Sequence, residues 1–310
     1  MPVEENITFE QHRRTLEGLA YRMLGTLAEA QDIVQETYLK WHEVDITTLS
    51  NPRAWLITVC SRIALNHLTS ARKQREIYIG EWLPEPCPDE YDPSDPSVEM
   101  EFEDTVSVAL LLALEKLSPV ERAVFLLHDI FDLSFDEISK AIGKSHANCR
   151  QLATRARKHI RNQRPRFTAT HEEHRVLLEG FLAAARHRDM ESLVSLLAAN
   201  VQLYSDGGGK VEALPEMLQG AYDVASFFVS VFGEYNTRGV RVKTKLQWYN
   251  GSLGVLVFED EQLATALTIE VHSGYIYGIY AVRNPSKLSG FHSELSESAG
   301  TDNPFQQTSR

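Results

Sequence analysis

The sequence predicts a multidomain chain: two all-α modules, the second with a helix-turn-helix, followed by an α+β domain. Three observations carry this. Apolar residues recur every three to four positions through residues 1–75 and again through 105–167, the spacing of one helix face. Between those stretches the chain is acidic and rich in proline, which suits a linker better than a core. Beyond residue 171 helical patterns give way to a period of two, and helices followed by a strand meander indicate an α+β domain.

Composition narrows the class. The chain has 310 residues, 43% hydrophobic and 24% charged, ordinary for a soluble globular protein. Its longest apolar run, Val108 to Leu114, is far short of the ~20 residues that cross a bilayer. The first residues lack the apolar core of a signal peptide. Cys60, Cys87 and Cys149 are scattered with no CxxC pair, so neither a disulfide scaffold nor a cysteine zinc site is expected. The expectation is a cytoplasmic protein with no metal and no cofactor.

In the first module, Phe9, Leu16, Leu19, Ala20, Met23 and Leu27 mark one helix face, and Ile33, Val34, Thr37, Tyr38 and Trp41 another. Ser50-Asn51-Pro52 is a stop and a new start, opening a helix at Ala54-Trp55-Leu56-Ile57 that runs into Arg62, Arg72, Lys73 and Arg75. Trp55 sits in an apolar run and reads as core. The linker, 76–104, holds eleven acidic residues, no Lys or Arg, and five prolines. Inside it lies an apolar patch, Tyr78-Ile-Gly-Glu-Trp-Leu-Pro-Glu-Pro86. A solvated linker has no use for Trp82 and Leu83, so this part is expected to dock on a folded neighbour.

The second module, 105–167, carries Ser134 to Gly143, a short helix with Phe135, Ile138 and Ile142 facing inward, closed by a glycine suited to a left-handed turn. Ser145 can cap the next helix, whose apolar stripe is Cys149, Leu152, Ala153, Ala156 and Ile160. His146, Asn148, Arg150, Gln151 and Arg155 are left outward, with Arg157, Lys158 and Arg161 behind them. A recognition helix needs that arrangement: leading residues reach base edges and later bases hold phosphates. Arg pairs bidentately with guanine, and Asn or Gln with adenine. The net charge of −12 alone argues against nucleic acid, but residues 138–170 hold nine bases and no carboxylate. Screening confines each field to about 8–10 Å, so a local excess can still bind phosphate. An ordinary αα-hairpin with a solvated basic face is the alternative.

In the third module, 171–288, Thr170 and Glu173 form a capping box. Helical patterns cover Val176–Ala185, Met190–Ala199 and Leu214–Phe232. Val240, Val242, Thr244, Leu246 and Trp248 then alternate with polar residues, and Asn250-Gly251 and Ser273-Gly274 signal hairpin turns. The tail, 289–310, is rich in Ser, Gly, Asn and Gln and reads as disordered.

These segments carry a resemblance. Ala28 to Leu39, followed by Pro52-Arg-Ala-Trp-Leu-Ile57, resembles region 2 of bacterial sigma factors. Leu117 to Leu126, with the helix-turn-helix and Thr154-Arg-Ala-Arg157, resembles region 4. An acidic linker alone between them is the layout of the extracytoplasmic-function class. Tyr78 to Pro86, Asp206-Gly-Gly-Gly-Lys210 and Asn284-Pro-Ser-Lys-Leu288 resemble signatures of the subgroup with a SnoaL-like domain fused after region 4. Ser286 departs from that pattern, which usually has an acid there.

The resemblance implies a factor without catalytic activity that brings RNA polymerase core to promoters. Asp32, Gln35 and Glu36 would meet the clamp helices of the largest subunit. Arg53, Arg62, Asn66 and Arg72 would hold melted minus-ten single strand, and His146, Asn148, Arg150, Gln151, Arg155, Arg157 and Lys158 the minus-thirty-five duplex. It also implies a C-terminal cone with a curved antiparallel sheet and a cavity for a small ligand, acting as a regulator in cis. Trp82, Leu83, Pro84, Asp206, Gly207, Gly208, Gly209, Lys210, Asn284, Pro285 and Lys287 are the regulatory contacts expected, with Lys210 meeting the acidic linker. No membrane partner is expected, and the free protein is expected to be a monomer. Two alternatives stand: a ligand-sensing helix-turn-helix regulator independent of polymerase, and a SnoaL-type isomerase or cyclase using Asp206 and His272 with a DNA-binding fusion.

Overall fold

A computed structural model of the chain describes residues 2–75, 78–89, 107–161 and 169–291. The acidic part of the linker beyond Asp89 and the tail beyond Phe291 lie outside the described residues.

The N-terminal module is a three-helix unit of α1 (Pro2–Leu24), α2 (Leu27–Trp41) and α3 (Pro52–Arg75). The second has α4 (Val108–Glu115), α5 (Pro119–Phe125) running into a π-turn, α6 (Phe135–Ile142) and α7 (His146–Arg161). Its helices start where side-chain acceptors answer the orphan N–H groups of a first turn. Ser118 with Glu121 and Ser134 with Glu137 are complete capping boxes. Gly143 ends α6 in the left-handed region at φ 65°, and the Asn148 N–H donates to the Ser145 hydroxyl at the start of α7.

The two modules share one core. Leu16, Leu19, Met23, Leu56, Cys60 and Ala64 from the first belong to the same buried cluster as Leu110, Leu114, Leu127, Ile138 and Ala153 from the second. Sequence patterning treats them as separate units joined by a linker; in this structure they are closed on one another.

The third module opens with α8 (His171–His187), capped by the Thr170–Glu173 box as expected, and α9 (Met190–Leu196). The helix predicted through Ala199 stops short. Residues from Leu197 are β1 (Leu197–Asp206), and after the short β2 (Leu218–Gln219) comes α10 (Ala221–Arg238) in place of a helix from Leu214. The expected meander follows as β3 (Val242–Tyr249), β4 (Ser252–Glu259), β5 (Gln262–His272) and β6 (Tyr275–Val282). Asn250-Gly251 and Ser273-Gly274 turn it, each with positive φ at both residues as the tight hairpin turns require. Sheet order is β2-β1-β6-β5-β4-β3, antiparallel except that β1 runs parallel to β6.

The sheet has two covered faces. One packs on α8 and α10 through Leu178, Phe181, Val224, Phe228, Val255, Ile269 and Ile279. The other receives Leu83 of the linker, Val108, Ala109 and Leu112 of α4, and Leu288 and Phe291. Phe291 is fully buried against Tyr249, so the tail expected to begin at residue 289 starts with a packed turn.

Candidate DNA-binding surfaces and the linker clamp

On α7 the buried stripe is Cys149, Ala153, Ala156 and Ile160, which turns Asn148, Arg150, Gln151, Arg155, Arg157 and Lys158 to solvent. His146 is half-buried, edge-on to the Phe135 ring and 3.7 Å from the Asp136 carboxylate. The Arg150 guanidinium lies 5.7 Å above the same ring, which holds it at the leading end of the helix. Arg157 is tied to Asp129 at 2.7 Å and braces α7 on the π-turn.

On α2, Ile33, Val34, Thr37 and Trp41 face the core, and Asp32, Gln35 and Glu36 are exposed together. Glu36 lies 3.3 Å from His67 of α3, and Leu39 adds an exposed apolar residue at 57%. On α3, Arg53 is half-buried and Asn66 exposed, while the side chain of Arg72 lies outside the described residues. Trp55 packs on Trp41 at 5.6 Å, as a core residue does. Arg62 is not free for DNA in this arrangement: its Nε donates to the Ala141 carbonyl at 2.6 Å and its Nη2 to the Lys140 carbonyl.

The linker patch is gripped at both ends. Asp206, at the end of β1 and fully buried, accepts from the Leu83 N–H at 2.9 Å and from the Tyr78 hydroxyl at 2.7 Å. Lys287 closes the site, with Nζ 2.7 Å from Asp206 and 2.5 Å from the Leu83 carbonyl, and it lies 4.4 Å above the Trp82 ring. Burial and the neighbouring carboxylate push the Tyr78 hydroxyl pKa up, so it stays a donor. Asn284 donates to the Tyr78 hydroxyl at 2.8 Å. A Cβ on Gly208 would fall 2.3 Å from Asn284, and Gly208 and Gly209 both have positive φ. The glycine run is therefore what lets the linker and the 284–288 segment approach.

The other end is held by the first module. The Glu85 N–H donates to the Gly25 carbonyl at 2.9 Å, and its carboxylate accepts from the Leu27 N–H at 2.8 Å, at the N-terminus of α2. Tyr21 donates to the Glu85 carbonyl at 2.5 Å and accepts from Asn250 at 2.8 Å. Asn250 in turn pairs with the Cys87 backbone, so the linker is zipped to the β3–β4 turn. A cavity of about 170 Å³ opens at this junction, lined by Tyr21, Arg22, Cys87, Asp89 and Asn250 among others.

Two expectations need correction. Lys210 reaches the Ser286 hydroxyl, and Lys287 is the cation at the linker. Asp206 and His272 do not form a site: the register pairs Asp206 with Val282 and His272 with Tyr275, at opposite ends of β6. Asp206 also lies on the linker face of β1, since Val201 and Leu203 take the face packed on helices and side chains alternate. Pro84 is buried; Pro285 is exposed, and its carbonyl accepts from the Leu288 N–H at 3.3 Å within the 284–288 turn.

Comparison with known proteins decides the family. Residues 8–74 match the Sigma-70 region 2 model and residues 107–160 the Sigma-70, region 4 model. The ECF RNA polymerase sigma factor SigJ of Mycobacterium tuberculosis is 35% identical over 290 residues, 91% of this chain and 92% of that protein. The chain belongs to the ECF RNA polymerase sigma factors. A second relative of this ECF sigma factor, the probable ECF RNA polymerase sigma factor SigI of the same species, is 33% identical over 92% of this chain and 94% of its own. The crystal structure of M. tuberculosis SigJ superposes with a TM-score of 0.72, covering 91% of this chain and 98% of that one at 32% identity. The sigma factor thus has regions 2 and 4 and a C-terminal SnoaL-like domain, and it acts with RNA polymerase core and promoter DNA. No helix among the described residues is long and apolar enough to cross a membrane.

Residues that sequence reasoning missed are those that join modules. Tyr78 and Glu85 stood inside a noted motif without a role. Tyr21 carries no signal, Asn250 reads only as a turn residue, and Arg122 stands out only as a buried charge in a short helix.

Proposed function

We propose that this cytoplasmic sigma factor is held in a closed form by its own C-terminal domain. Asp32, Gln35 and Glu36 dock on the clamp helices of polymerase, Arg53, Arg62, Asn66 and Arg72 hold the minus-ten strand, and the α7 surface reads the minus-thirty-five duplex. Asn148, Arg150 and Gln151 do the reading; Arg155 and Lys158 meet phosphate, and Arg157 and His146 position the helix. The observation that carries the proposal is the double grip on residues 83–85. Glu85 is bonded to the α1–α2 turn on one side, and Leu83, two residues earlier, to Asp206 and Lys287 on the other. The sheet face that binds Leu83 also binds α4 of region 4, and Asn250 donates to Tyr21 of region 2, so the C-terminal domain touches both sigma regions.

Both promoter elements must be engaged at once, and linked modules benefit from effective concentration only where the geometry permits it. Releasing the linker restores that freedom. Trp82→Ala removes the ring wedged between Gly25 and Lys287. In transcription with purified core polymerase and a promoter library, this variant should give more promoter-directed transcript than the wild type. Unchanged transcript from a variant with wild-type thermal melting contradicts the closed-form reading.

A further inference from the structure

We infer that regions 2 and 4 also latch directly onto each other, through two reciprocal arginine contacts at helix C-termini, and that promoter DNA competes with this latch. Arg122 of α5 is 3% exposed. Its Nε donates to Leu114 at 2.9 Å, its Nη2 pairs with Glu115 at 2.7 Å, and its Nη1 crosses to region 2, donating to the Met23 carbonyl at 2.6 Å in the last turn of α1. Arg62 makes the mirror contact. From α3 of region 2 it donates to the carbonyls of Lys140 and Ala141, in the last turn of α6 of region 4. Helix C-termini present unsatisfied carbonyls with partial negative charge, and the guanidinium fork can span two of them. A third arginine, Arg22 of α1, lies 5.8 Å over the Phe131 ring of region 4.

The two caps differ in what they can exchange. Arg122 keeps Leu114 and Glu115 within its own region when the latch opens, and water can replace the Met23 carbonyl. Arg62 is exposed and lies on the helix assigned to the minus-ten strand. A phosphate is a stronger acceptor for it than two neutral carbonyls, because it carries a full negative charge and takes the guanidinium fork bidentately. DNA therefore takes Arg62 from α6 and frees the helix-turn-helix in the same event. The DNA half of this inference rests on the assignment of α3 to the minus-ten strand made above; the latch itself does not. It also differs in location from the linker clamp: the arginine–carbonyl bonds of Arg62 and Arg122 run between regions 2 and 4.

The test uses the full chain carrying a donor and an acceptor dye at Glu43→Cys and His159→Cys in a Cys87→Ser background, since Cys60 and Cys149 are buried. Without DNA the parent should show high energy transfer. Arg62→Ala should raise the ratio of open to closed molecules about tenfold, and Arg122→Met should do the same. Arg62→Ala is exposed and keeps the fold testable if Arg122→Met fails to fold. Unlabelled single-stranded DNA should lower transfer in the parent, with a strong salt dependence. Unchanged transfer in Arg62→Ala, or no response of the parent to DNA, overturns the inference. Trp82→Ala separates the two accounts: a transcriptional effect there with no opening by Arg62→Ala leaves the clamp and removes the latch, and the converse leaves the latch alone.

Discussion

The α7 surface and the linker clamp are both made of charged and polar side chains, yet they are built on opposite terms. Along α7, one helix supplies Asn148, Arg150, Gln151, Arg155 and Lys158, all exposed to solvent. At the clamp, three segments far apart in sequence supply Tyr78, Leu83, Asp206, Asn284 and Lys287, and the ion pair at its centre is buried and hydrogen-bonded. A surface awaiting DNA keeps its hydrogen-bonding capacity open. A clamp proposed to hold the chain closed spends that capacity internally, because a buried charge without partners is costly.

The largest expected effect separates the two regions. Lys287→Met leaves Asp206 buried without its counter-charge, which should destabilise the docked state by about 3–5 kcal/mol. The Leu83 amide reports this directly, since it donates to Asp206: its hydrogen-exchange protection should fall by two or more orders of magnitude while the amides of α7 keep theirs. The double variant Asp206→Asn/Lys287→Met removes both charges and should recover part of that protection, because an apolar or neutral replacement of a buried pair is far less costly than an orphaned charge.

Smaller effects lie at the other end of the linker. Glu85→Ala removes the acceptor at the α2 N-terminus and should cost about 1 kcal/mol in urea unfolding. Glu85→Gln keeps an acceptor and gives up a charge that burial disfavours. Burial raises the Glu85 pKa above its ordinary 4.5, so the folded state holds this proton more tightly than the unfolded chain does. The wild type should therefore gain stability relative to Glu85→Gln as pH falls through the raised folded value, the gain being complete below about 4.5. A difference that widens in the opposite direction would mean that the Leu27 N–H and Lys287 outweigh burial.

The smallest stability effect should be at α7. Arg150→Ala should change unfolding by no more than about 0.5 kcal/mol, as surface substitutions do. It should nonetheless lose about 1–3 kcal/mol of base discrimination at one minus-thirty-five position, read from a randomised promoter pool. A change in overall affinity with unaltered base preference would assign Arg150 to phosphate.

The same contrast governs what the sequence could reveal. The helix-turn-helix is local, so a cap at Ser134, a glycine at 143 and the stripe from Cys149 to Ile160 made it readable. Strand β1 was hidden because Leu197-Ala-Ala-Asn200 continues a helical composition out of α9, and the alternation from Val201 to Asp206 is short. Lys210 was chosen for the linker because it follows the glycines. The cation that reaches Asp206 lies 81 residues away, brought there by the β1–β6 pairing. The docking of Trp82 and Leu83 is legible in their apolarity alone, whereas Asp206, Asn284 and Lys287 enter only through the family resemblance. The resemblance makes Arg62, on the helix with a basic end, a DNA candidate. That it caps α6 depends on two modules sharing a core, which no periodicity reports.

Transcription by purified core polymerase with the Asp206→Asn/Lys287→Met double variant tests the closed-form account most directly. It weakens the clamp, by removing the Lys287 bonds to Asp206 and Leu83, without leaving an orphaned charge, and alters none of the residues assigned to DNA or polymerase. The account predicts more promoter-specific transcript than from the wild type at equal protein concentration, with loss of Leu83 amide protection relative to the wild type. Equal or lower transcript from a variant whose linker has demonstrably been released would contradict it.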